Sequence, residues 1–140
     1  MISFGQIDYS EVVGGEKGLN YYSNLAIDQW GLLMDDFLYN GTDMTLDAGA
    51  KIALIDSGNT SIQLPTSMYI QVMNAMRRTE RTIISQEVDD TQILVARKPC
   101  YKLWDTLGDI EFKLQDTKII IKPRGYLYHM EGQDDCFIGI

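Results

Sequence analysis

Asp56 stands at the end of an apolar run, Ala53-Leu54-Ile55, and at the head of a polar turn, Ser57-Gly58-Asn59-Thr60. A carboxylate carried there needs hydrogen bonds to keep its charge. Gly58 lets the backbone approach closely, and Ser57, Asn59 and Thr60 offer donors. A group held in this way can do general acid–base work toward a bound reactant. The plainer alternative is an Asx turn that closes a strand. His129, the only histidine, lies in the strand-like alternation Tyr126-Leu127-Tyr128-His129-Met130 and reads as a partly exposed strand residue. No Gly-x-Ser-x-Gly elbow accompanies it, which argues against a serine hydrolase. Two cysteines and one histidine without short ligand spacing give no zinc site, so no metal is expected. Cys100 and Cys136 leave two buried thiols or one disulfide open.

The elements that must position Asp56 are mostly strands, because short apolar runs alternate with turn residues along the chain. Strands are expected from Ile2 through Phe4 to Ile7, at Leu25-Ala26-Ile27, and from Trp30 to Tyr39 with a phase shift at Asp35-Asp36. Asn40-Gly41 predicts a type I′ hairpin, since both central residues tolerate positive φ. Met44, Leu46 and Lys51–Ile55 continue the pattern, and the consecutive apolar residues of the latter predict burial on both faces. Met68, Tyr69, Val72, Met73 and Met76 recur at helical spacing after Leu64-Pro65, with Arg77 and Arg78 suited to a C-terminal turn. Residues 79–99 read as loops around one short strand at Ile93-Leu94-Val95, and Ile110–Leu114 with Lys118–Lys122 as a hairpin. The expected fold is a single all-β domain over residues 1–140 with one main helix.

The 140 residues, 45% hydrophobic and 23% charged, suffice for a core, and the formal charge of -8 is opposite to what a phosphate backbone recruits. Nucleic acid is therefore not an expected partner. The aliphatic runs are too short for a membrane span, and the first residues lack the pattern of a signal peptide. Asp35-Asp36, Asp89-Asp90 and Asp134-Asp135 read as solvated loop charge. Asn40-Gly41-Thr42 and Asn59-Thr60-Ser61 both fit the acceptor pattern for N-glycosylation; the first lies on a predicted exposed hairpin.

The run Leu54-Ile55-Asp56-Ser57-Gly58-Asn59, followed by Leu64-Pro65 and a helix, resembles the second catalytic loop of the pepsin-like aspartic proteases. The resemblance extends along the chain. Phe4-Gly5-Gln6-Ile7-Asp8 is similar to the opening of that family's C-terminal lobe, and Trp30 with Asn40-Gly41 to its Trp strand and hairpin. Asp109-Ile110-Glu111-Phe112 and Tyr126-Leu127 fall where the lobe has comparable strands, and Cys100 and Cys136 resemble its disulfide pair.

The resemblance implies that Asp56 is one of two catalytic aspartates, supported by Ser57, Gly58, Asn59 and Thr60, with Trp30 a candidate for lining the cleft. It implies no cofactor, an extended polypeptide substrate, work at acidic pH, and delivery by secretion or to a vacuole or lysosome. Asn59 stands where the family has a Thr or Ser hydroxyl on the outer carboxylate oxygen, and no second Asp-Thr/Ser-Gly occurs. Most of a C-terminal lobe is therefore expected, with the N-terminal lobe and last strands outside these residues, inactive by itself. The alternatives are a catalytically silent peptide-binding module with the same fold, and a homodimeric, retropepsin-like protease.

Overall fold

The computed structural model describes residues 5, 7–46, 50–88, 90–129, 132 and 134–140. Most of the strand expected from Ile2 to Ile7, together with Asp89 and Met130, lies outside them.

The first long element is β1, Gly31–Tyr39, whose apolar residues Met34, Phe37 and Tyr39 point into the core. Its phase shifts between Met34 and Asp36, where the register against β6 (Ile110–Leu114) slips at a bulge. The extra residue keeps both halves of the strand facing the core. Asn40 (φ 50°) and Gly41 (φ 72°) then reverse the chain into β2, Thr42–Asp43, as a hairpin with two left-handed central residues requires. β3, Ile52–Leu54, pairs with the first half of β1, and β7, Thr117–Ile121, with β6. The resulting sheet runs β2-β1-β6-β7, with β3 attached to β1.

The second sheet runs β4-β5-β9-β8, with β4 at Ile83–Val88, β5 at Thr91–Ala96, β8 at Leu127–His129 and β9 at Cys136–Ile138. Helix α1, Thr66–Thr79, buries Met68, Val72 and Met76, an i, i+4, i+8 stripe, against the same cluster that holds Phe37, Leu94, Leu103 and Ile110. A short turn of helix, α2 (Pro123–Tyr126), leads into β8. The Cys100–Cys136 disulfide ties the segment before β6 to β9.

Three expectations are corrected. Residues 79–99 contain a full β4–β5 hairpin rather than one short strand, because the backbone pairs from Ile83↔Ala96 to Val88↔Thr91 although the sequence is polar there. Leu25-Ala26-Ile27 is not a strand: Asn24 Oδ1 accepts from the N–H groups of Ala26 (3.2 Å) and Gly31 (2.8 Å) and closes a loop instead. The run Ile52–Ile55 is not buried on both faces, since Ile52, Leu54 and Ile55 are each about half exposed.

Beneath the first sheet, Tyr126 donates from its hydroxyl to Gly108 O (2.6 Å), and Gly108 N–H donates to Tyr39 Oη (3.0 Å). Burial pushes both phenols above their ordinary range, so they remain neutral.

Candidate functional site

Strand β3 hands the chain to the Asp56 turn at a fixed place. Ile55 N–H donates to Trp30 O at 2.8 Å, one step beyond the Gly31↔Leu54 pair, so Asp56 leaves the sheet beside Trp30. There the chain folds back on itself: Gly58 N–H donates to Asp56 Oδ1 at 2.8 Å and Asn59 N–H to Asp56 O at 3.4 Å. A Cβ at position 58 would lie 3.2 Å from Asp56 Oδ1, so glycine gives the carboxylate its close backbone donor without crowding.

The far end of the loop is pinned to the second sheet. Tyr128 donates from its hydroxyl to Thr60 O (2.9 Å), and Ile62 N–H donates to Gly139 O (2.9 Å), whose own N–H donates to Tyr126 O (2.8 Å). The ring of Tyr128 lies so near Gly139 that a side chain there would overlap it. Ile62 and Leu64 then rest against the core and Pro65 starts α1. The loop is thus held between a strand on one side and a strand pair plus a helix on the other.

Asp56, Ser57, Gly58, Asn59 and Thr60 are all exposed, and Trp30 is 74% exposed. Among the described residues the Ser57 hydroxyl makes no hydrogen bond, and Asp56 Oδ2 receives none. Asn59 does not reach the carboxylate; its Oδ1 accepts from Ser61 N–H at 3.4 Å. Trp30, Ile52, Leu54 and Ile55 are each exposed on the β1–β3 pair that delivers Asp56, with Ile52 and Leu54 on one face and Trp30 and Ile55 on the other. A cavity of about 720 Å³ lies behind the loop rather than at Asp56, lined by Ile62, Leu64, Tyr69, Ile93 and Phe137 among others.

The sequence-derived residues therefore divide. Asp56 and Gly58 are joined by a hydrogen bond and Trp30 meets the loop through its carbonyl, which accepts from Ile55 N–H, while Ser57 and Asn59 make no bond to the carboxylate with their side chains and Thr60 contributes its carbonyl. Asn40 lies at the opposite end of β1, and His129 is exposed on β8. Tyr128 and Gly139 were not singled out from the sequence as holding the loop, since the bond to Thr60 spans 68 positions and no local pattern marks it. Among the described residues no cluster of His, Cys, Asp and Glu is arranged to hold a metal ion.

A family model of the eukaryotic aspartyl proteases matches residues 1–140. The chain belongs to the eukaryotic aspartyl protease family. No curated protein matches it. The β-rich, two-sheet architecture with one main helix agrees with a pepsin-like lobe. An aspartyl protease domain with a disulfide fits an extracellular or lysosomal setting.

Proposed function

We propose that this aspartyl protease domain supplies one of two catalytic aspartates, Asp56, to the hydrolysis of an extended polypeptide. The observation that carries the reading is the Asp56 carboxylate, accepting Gly58 N–H at the end of a strand and mounted on a loop anchored at both ends. Two carboxylates a few ångströms apart cannot both ionise, so the pair shares a proton. The ionised member takes a proton from a water between them as that water attacks the peptide carbonyl. The protonated member donates to the carbonyl oxygen, and the roles reverse as the amine leaves. One of the two carboxyls must stay protonated, so activity belongs to acidic pH.

Within the 140 residues only one Asp-Thr/Ser-Gly occurs, so the second acid comes from elsewhere. The exposed apolar side chains of Trp30 and Ile55 at the strand ends that lead to Asp56 support a second lobe packing there, and this chain as most of a C-terminal lobe. The Ser57 hydroxyl is free to bond across that contact. Secretion, or delivery to a vacuole or lysosome, completes the reading.

A second reading, a catalytically silent peptide-binding module, is favoured by one observation. Asn59 leaves Asp56 Oδ2 without a donor from the loop. The deciding experiment measures cleavage of an unfolded protein from pH 3 to 7 by the complete protein and by Asp56→Asn. Cleavage lost in the variant and blocked by a statine-type inhibitor supports catalysis. Saturable peptide binding without cleavage in the unaltered protein supports the silent module. Activity of the 140-residue chain alone would instead indicate a dimer with Asp56 from both copies.

A further inference from the structure

Asn40 differs from the other sequon asparagine, Asn59, in the turn that carries it and in the bonds of its side chain. It occupies the first central position of the β1–β2 hairpin, and Asn40, Gly41 and Thr42 are all exposed. Its backbone is fixed, with Asn40 N–H donating to Asp109 O at 2.8 Å. Among the described residues its side-chain amide makes no hydrogen bond. A side chain on Gly108 would overlap that of Asn40, so the glycine leaves the space in which the asparagine lies. Beside it opens a polar groove of about 410 Å³ that includes Asn74 and Arg78. Neither of these donor-rich side chains has a hydrogen-bond or ion-pair partner among the described residues.

Asn59 is also exposed, but its side chain is tied into its own turn. Its Oδ1 accepts from Ser61 N–H, its own N–H donates to Asp56 O, and it stands three positions from Asp56. Asn40 lies ten positions along from Trp30, which at about 3.3 Å per strand residue is roughly 30 Å from the Asp56 end of β1.

We propose that Asn40 is an N-glycosylation site and that Asn59 stays unmodified, the glycan root lying over the groove that contains Asn74 and Arg78. The donor is an oligosaccharide linked to a lipid diphosphate. A bond forms between Asn40 Nδ2 and the anomeric carbon of the first sugar as the bond from that carbon to the diphosphate oxygen breaks. The lipid diphosphate leaves with the electron pair, and the nitrogen gives one proton to the transferase's base. The disulfide fits an oxidising environment of the kind in which such transfer takes place.

The test expresses the full chain behind a heterologous signal peptide in a eukaryotic host. Medium and internal membranes are both mapped by peptide mass spectrometry before and after peptide N-glycosidase, so retention in the cell does not hide the modification. Most molecules are expected to carry one glycan, on the peptide containing Asn40. Asn40→Asp keeps a residue that tolerates positive φ, and Thr42→Ala leaves the asparagine; both lose the glycan completely. Thr42→Ser and Asn59→Asp retain it. Asn40 unmodified in molecules with an intact disulfide, or a glycan on Asn59, overturns the proposal.

Discussion

Replacing Glu80 by Gln tests the ion pair that locks the end of α1 to the β4–β5 hairpin. Glu80 is buried, 6% exposed, and its Oε1 accepts from Thr82 N–H (3.0 Å) and Thr82 Oγ1 (2.7 Å) while Oε2 accepts from Lys98 Nζ at 2.5 Å. Burial alone would raise the carboxyl; the bonds from Lys98 and Thr82 outweigh it and hold the group below its ordinary value. Glutamine keeps the Thr82 bonds but turns an NH₂ toward the ammonium. A charge-assisted bond contributes about 1.5–3 kcal/mol, and Lys98, partly exposed, recovers some solvation. The expected loss at pH 7 is therefore about 2 kcal/mol, a fall in Tm on the order of 6–10 °C for a domain of this size. The sign with pH follows from the lowered value. Stabilisation is complete above the unfolded carboxyl value of about 4.3 and disappears as pH falls through the lower folded one. Urea unfolding of both proteins from pH 7 down to the acid limit of the folded state measures this. Equal stability at pH 7, or a difference that does not shrink in acid, refutes the reasoning.

Tyr126→Phe leaves the Gly108 carbonyl without its phenol donor and should cost about 1–3 kcal/mol by denaturant titration, with a non-additive double mutant when combined with Tyr39→Phe. Cys100→Ser with Cys136→Ser opens a loop of 36 positions and should lower stability by about 3–4 kcal/mol, read from urea midpoints under non-reducing conditions. Tyr128→Phe frees Thr60 O and, on the proposed role of Asp56, should lower kcat of the complete protein several-fold while moving the global Tm little, because the lost bond is exposed.

Elements whose periodicity is set by burial were legible. α1 shows its Met68, Val72, Met76 stripe, β1 shows its phase change at the bulge, and Asn40-Gly41 shows its hairpin because only certain residues accept two positive φ values. The β4–β5 hairpin was not legible, because Ser85, Gln86 and Glu87 face Leu94, Ile93 and Gln92 in a ladder made by the backbone. Leu25-Ala26-Ile27 misled in the opposite direction: its composition suits a strand, but its bonds, Leu25 N–H to Gly31 O and Ala26 N–H to Asn24 Oδ1, close a local loop instead of a ladder. The burial of Ile52–Ile55 was misread because apolar character records what a surface is suited to meet, and in this fold that surface is uncovered. At the site, Asp56 and Gly58 were readable from local turn chemistry. The anchoring of the loop by Tyr128 and Gly139 depends on a contact between distant segments.

The pairing of β1 with β6 has a consequence for biosynthesis. Tyr39 faces Ile110, so the second half of β1 waits for a partner synthesised 71 positions later. At roughly 5–20 residues per second that is about 4–14 s. During this interval the second half of β1 has the short hairpin arm β2 on one edge and lacks its strand partner on the other, although α1 and β3 are already made. A chaperone that recognises extended apolar segments therefore has an opportunity at residues 34–39, and slowing translation between 40 and 110 should lengthen that exposure.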